Sequence, residues 1–139
     1  MLEKNKLKID EIRKISLEIL IDIDRFCQAN NILYFLACGT LLGSIKYGGF
    51  IPWDDDIDIM MPRPEYERFI NSYSNNKFSI LKPKSGMYFY TKVYDNSTLE
   101  YERGMDYKKY NPIGINVTIC LLPIILGIIL LIALKGFFL

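Results

Sequence analysis

Histidine is absent from all 139 positions, and this single absence removes imidazole acid–base chemistry, Ser-His-Asp and Cys-His nucleophile pairs and His-ligated zinc together. Catalysis, if the chain performs it, must rest on carboxylates and a hard metal ion. Cysteine is scarce. The three residues are an odd number with no CxxC spacing, which argues against a disulfide scaffold, and Cys27, Cys38 and Cys120 each sit in an apolar run where a small buried thiol is expected. Net charge is nearly absent as well: 17 basic against 16 acidic side chains leave +1, so no global field draws the chain to nucleic acid. Any bound anion must be held locally. The opening Met1-Leu-Glu-Lys-Asn-Lys-Leu-Lys lacks the apolar core of a secretion signal, so a cytoplasmic location is expected.

What is present is core-forming material, with 50% hydrophobic and 14% aromatic residues in a length that suits one domain. Ile9, Ile12, Ile15, Ile19, Ile23, Phe26 and Cys27 fall on one side at helical spacing, predicting an amphipathic helix that ends near Asn30-Asn31. The short apolar run from Ile32 to Ala37 predicts a strand buried on both faces, after which Thr40 is expected to cap a short helix through Tyr47. Asp56-Ile-Asp-Ile alternates as a second strand that Pro62 ends, and Pro64 suits the first turn of a helix with Tyr66, Phe69, Ile70 and Tyr73 on its apolar side. Residues 87–93 and 98–101 read as a hairpin around Asp95-Asn-Ser, and Trp53 as an anchor of its turn in the core. Beyond Lys109 the only charged residue is Lys135, and Val117 to Leu134 forms an uncharged stretch of 18 residues, long enough to be a transmembrane candidate. The chain therefore divides into a body, residues 1–116, and an apolar tail, residues 117–139.

The chemistry concentrates in Asp54-Asp-Asp-Ile-Asp. Side chains two apart in a strand share a face, so Asp56 and Asp58 converge while Ile57 and Ile59 point to the core, and Asp54 joins them if the strand starts early. Converging carboxylates repel unless a divalent cation lies between them, and Mg²⁺ or Mn²⁺ is the natural occupant. A DxD by itself also fits an acidic turn, a calcium loop or a sugar-nucleotide glycosyltransferase. The apolar run ending at Cys38-Gly39-Thr40 before a short helix adds backbone N–H groups suited to phosphate, and a metal pair with a phosphate cradle describes a nucleotidyltransferase site.

The stretch from Gly39 to Ile59, GTLLGSIKYGGFIPWDDDIDI, resembles the signature of the LicD family, which includes bacterial phosphocholine transferases and is related to fukutin-type proteins. Met61 to Phe69 and Lys92-Val-Tyr-Asp-Asn-Ser-Thr98 resemble its next segments, so that the likeness covers roughly residues 10–119. The resemblance implies an α/β (α+β) fold, a nucleotidyltransferase-like mixed sheet with flanking helices, here the front part of a longer domain. It implies transfer of a phospho-alcohol, such as phosphocholine from a CDP-activated donor, to a glycan acceptor at the cell surface: lipopolysaccharide, teichoic acid or capsule. Asp54, Asp56 and Asp58 would be the catalytic carboxylates, with Asp56 and Asp58 holding Mg²⁺ or Mn²⁺. Gly39, Thr40, Lys46, Arg63 and Lys92 would bind substrate, although Arg63 is equally placed to pair with Glu67 on its own helix. Position 46 is lysine where the family usually has arginine, and Thr118 stands where its third metal-binding carboxylate is expected. Three readings of the tail stay open: a membrane segment through 117–134, holding the protein at the inner face of the membrane; the product of a reading-frame change or premature truncation near residue 117; or a strand and helix that complete the domain core. The alternative function is a truncated, inactive membrane-tethered relic that still binds nucleotide.

Overall fold

A computed structural model of the chain describes residues 6–83, 90–101, 106, 108 and 111–122. The first amphipathic segment becomes α1 (Ile9–Asn30), which buries Ser16, Ile19, Ile23 and Cys27. Its start is fixed by Glu11, whose Oε2 accepts from the Lys8 amide at 2.7 Å, and its end by Asn31 in the left-handed region at φ 51°. Arg68 donates to the Asn30 and Asn31 carbonyls at 2.7 and 3.1 Å, placing a cation where the helix dipole is negative.

The remaining elements are β1 (Phe35–Leu36), α2 (Cys38–Tyr47), β2 (Ile57–Met61), α3 (Arg63–Ser72), β3 (Phe78–Leu81), β4 (Thr91–Asp95) and β5 (Asn116–Leu121). Among the described residues they build an open five-stranded mixed sheet of order β1-β2-β5-β4-β3, in which β2 and β5 run parallel and every other neighbouring pair is antiparallel. The fold is thus α/β with a mixed sheet and flanking helices, as expected. Alternation along the strands sorts the side chains. Ile57, Ile59, Met61, Val93, Val117 and Ile119 are buried with Ile19 and Ile23 of α1 and Phe69 of α3 in one hydrophobic core. Phe69 stacks on Tyr73 at 4.8 Å and meets Phe26 edge-on at 5.7 Å, locking α3 against α1. Pro62 precedes α3 and Pro64 lies in its first turn, where a missing N–H leaves no helix bond unmade.

Local expectations needed correction in five places. β1 is two half-buried residues at the sheet's edge, not a strand covered on both sides, because the chain turns into α2 at Cys38, whose φ is 48°. Thr40 does not cap α2, which follows Ala37 with no side-chain cap. β4 pairs with β3 and β5, and residues 98–101 are not a strand; Glu100 N donates to the Ile113 carbonyl and Thr98 Oγ1 accepts from Ile115 N. Cys38 is exposed, unlike buried Cys27. Trp53 is 77% exposed and so does not anchor its turn in the core. β5 carries the sheet through Leu121, which takes in the first residues of the apolar stretch, whereas residues 123–139 lie outside the described residues. Among the described residues, no helix is long and apolar enough to cross a membrane.

Candidate active site

The parallel pairing of β2 with β5 sets Asp58 beside Thr118, and the antiparallel pairing of β4 sets Lys92 beside the same threonine. Asp58, Thr118 and Lys92 therefore form a row across three strands, each half-buried and each on the face opposite the core residues of its strand. The backbone of Asp58 is held from the β1–α2 corner: its carbonyl accepts from Ala37 N at 2.9 Å, and its N–H donates to Thr40 Oγ1 at 2.9 Å. Burial and the charge of Asp54 raise the pKa of the Asp58 carboxyl above the usual carboxylate value, while Lys92 and a hydrogen bond from the Thr118 hydroxyl oppose them. Asp56 is pushed up to about 6, first by burial, then by a hydrogen bond shared with Asp54 and by the negative charges of Asp54, Asp58 and Asp55. The acidic run is thus a convergent cluster whose members act on one another, with Asp54 and Asp58 half-buried and Asp55 and Asp56 exposed.

Asp54 reaches this cluster through a close approach to α2. A Cβ placed on Gly39 would lie 2.6 Å from Asp54 Oδ2, so glycine there makes room for the carboxylate at the amino-terminal end of the helix. Beside the cluster opens a cavity of about 280 Å³, lined by residues that include Ser16, Asp55, Asp56, Lys92, Asn116 and Thr118. Asn116 donates to Glu100 at 2.8 Å on its wall, while the buried hydroxyl of Ser16 has no hydrogen-bond partner among the described residues. Carboxylates, one ammonium and neutral donors around a small polar cavity suit an anionic ligand bridged by a cation.

A corner that pins an acidic strand beside a parallel partner has counterparts in known sequences. The sequence profile of the LicD/FKTN/FKRP nucleotidyltransferase domain matches residues 31–120. The chain belongs to this family. It is 47% identical over 66 residues to the lipopolysaccharide cholinephosphotransferase LicD of Haemophilus influenzae, a segment that is 48% of this chain and 25% of that protein. It is also 40% identical over 55 residues to an uncharacterised protein of Rickettsia typhi (39% of this chain, 18% of that protein) and 34% identical over 62 residues to mannosyltransferase regulator 4 of Saccharomyces cerevisiae (45% and 5%). The matched segment thus spans a quarter or less of these relatives. No solved structure matches.

In this LicD-family chain, six of the expected site residues come together: Asp54, Asp56 and Asp58 with Gly39, Thr40 and Lys92. Two do not. Lys46 lies in the last turn of α2, over the ring of Tyr47, at the opposite end from Gly39. Arg63 begins α3 after the far end of β2 and pairs with Glu67 at 2.9 Å. Sequence reasoning passed over Asp55, Ser16, Glu100, Asn116 and Arg13. Ser16 had a signal, a hydroxyl standing in the apolar stripe of α1 between Ile12 and Ile19, whereas Arg13 looked like any solvated helix charge. Among the described residues, no three His, Cys, Asp or Glu side chains form a metal-holding group.

Proposed function

We propose that this chain carries the donor site of a metal-dependent phosphotransferase, which moves a phospho-alcohol such as phosphocholine from a CDP-activated donor to a cell-surface glycan. The observation that carries the reading is the convergence of Asp54, Asp56 and Asp58 beside a polar cavity that Asp56 and Lys92 line. The similarity to the Haemophilus cholinephosphotransferase supports the choice of phosphocholine and lipopolysaccharide among the alternatives.

Asp56 and Asp58 fit Mg²⁺ or Mn²⁺, because burial and the neighbouring carboxylates, Asp54 above all, hold both carboxyls above the usual carboxylate pKa, a tension that a hard cation relieves. Such an ion, when bound, neutralises charge on the donor phosphates and on the leaving group. Lys92 adds a point charge at the cavity, and Gly39 and Thr40 at the start of α2 stand beside Asp54 and Asp58, where a helix N-terminus suits a phosphate. Asp54, hydrogen-bonded to Asp56, orients the acceptor hydroxyl. Thr118 keeps Asp58 in place by donating to it. Lys46 and Arg63 reach only parts of a donor that extend outside the cavity.

Calorimetric titration of the full chain with CDP-choline tests the reading. Binding in Mg²⁺ or Mn²⁺ that vanishes in EDTA is expected, and equal binding in EDTA overturns it. Thr118 favours one second reading, a chain that binds nucleotide without turnover, because a neutral hydroxyl ligates a cation more weakly than a carboxylate. Nucleotide binding without phosphocholine transfer to a glycan acceptor separates the two.

A further inference from the structure

The loop that delivers Asp54 is held from outside the matched domain. Arg13 lies on α1, before residue 31 where the family match begins, and its side chain is 20% exposed. Its Nε donates to the Asp54 carbonyl at 2.8 Å, and its Nη2 donates to the carbonyls of Ile51 at 3.0 Å and Pro52 at 2.8 Å. The guanidinium lies 5.5 Å from the ring centre of Phe50, and Nη1 reaches Asp10 at 3.4 Å. One side chain thus touches both ends of the turn 50–54, which also closes on itself through Asp54 N to Ile51 O at 2.9 Å.

We propose that Arg13 is a positioning residue of the site: it sets the turn 51–54 so that the Asp54 carboxylate stays against Gly39 and beside Asp56, making α1 a working part of the site. Three carbonyls presented to one planar fork define the turn's position in a way that few other contacts can. A lysine has donors enough, but they sit on one flexible point charge and cannot meet three spread acceptors while stacking on Phe50. The carbonyls involved carry no side-chain identity, so the clamp is indifferent to the residues of the turn and specific to its path.

The inference rests on the reading of the acidic cluster as a cation site, and the test separates the two. Trp53 is the sole tryptophan, exposed, and sits between two of the clamped carbonyls, so its fluorescence anisotropy decay reports on the turn. In the full chain, Arg13→Lys and Arg13→Ala are each measured for Trp53 local mobility, Mn²⁺ affinity and thermal midpoint. The expected result is faster Trp53 motion and at least tenfold weaker Mn²⁺ binding in both variants. Methylguanidinium is expected to restore both in Arg13→Ala and neither in Arg13→Lys, which fills the space without the fork. Wild-type Trp53 mobility in Arg13→Lys overturns the proposal. So does an affinity loss no larger than the loss of folded protein. If the wild type itself fails to bind Mn²⁺, the cation reading falls, and Trp53 mobility in Arg13→Lys still decides whether Arg13 holds the turn.

Discussion

Replacing Gly39 with alanine separates the folding of this chain from the working of its site. The added Cβ would meet Asp54 Oδ2 at 2.6 Å, with Ile51 Cδ1 at an ordinary 3.7 Å. To reach a 3.4 Å contact the carboxylate must retreat by about 0.8 Å, and it can, because it is the free end of a side chain and not backbone. The helix itself gains, since alanine is favoured over glycine in a helix by up to about 1 kcal/mol. A catalytic constellation tolerates displacements of only about 0.5 Å, and a misplacement of about 1 Å can cost on the order of 10²-fold. Because Asp54 is hydrogen-bonded to Asp56, which would hold the cation, Gly39→Ala is expected to weaken Mn²⁺-dependent CDP-choline binding by roughly 10- to 100-fold while the melting temperature holds or rises. Gly43→Ala is the contrast: its Cβ would lie 2.4 Å from the Gly49 carbonyl and 3.1 Å from Ile51 N, both backbone. That clash is expected to cost about 1–3 kcal/mol of stability. Calorimetric titration and scanning calorimetry on the two variants give the answer. Wild-type affinity in Gly39→Ala, or a melting loss as large as that of Gly43→Ala, refutes the assignment of Gly39 as the space-maker for Asp54.

Three further perturbations probe the same framework. Thr118→Asp places a carboxylate in register with Asp58, and Mn²⁺ affinity by titration is expected to rise at least tenfold; an unchanged or lower affinity shows that the position does not face the cation. Thr40→Val removes the acceptor of the Asp58 N–H, leaving that donor unsatisfied at about 1–3 kcal/mol, whereas Thr40→Ser keeps it; equal denaturation midpoints for the two contradict the pin. Tyr73 donates to Asp22 at 2.6 Å, and burial followed by this bond raises the phenol above its ordinary range near pH 10. A raised folded-state value means the contribution is complete below the unfolded value and fades as pH climbs past it. Tyr73→Phe is thus expected to be less stable than wild type by about 1–2 kcal/mol at pH 7, with a gap that narrows above about pH 10; a gap that widens in alkali contradicts this.

The sequence by itself determined what short-range periodicity and chemical identity can encode. The spacing of apolar residues located α1 and α3, Pro62 and Pro64 marked where β2 hands over to α3, and the absence of histidine with three closely spaced aspartates narrowed the chemistry to carboxylates. The long string from Gly39 to Ile59 was specific enough to point to the family before any fold was seen. Partner identity was not legible. Phe78–Leu81 shows too little alternation to stand out as a strand, and only its pairing with β4 makes it one. A two-residue edge strand and a doubly buried one share the same apolar run, and the number of neighbours, a tertiary quantity, distinguishes them. Thr118 was known to stand where a carboxylate was expected, but its place beside Asp58 and Lys92 came from the register of three strands distant in sequence. Gly39 and Thr40 read as a phosphate cradle, and the fold adds what no pattern showed, a space for Asp54 at the one and a pin for Asp58 from the other. Arg13 is the clearest case. On its own helix it is one charge among many, and its three acceptors are backbone carbonyls 38 to 41 residues away, groups that every residue carries and that no sequence pattern can single out.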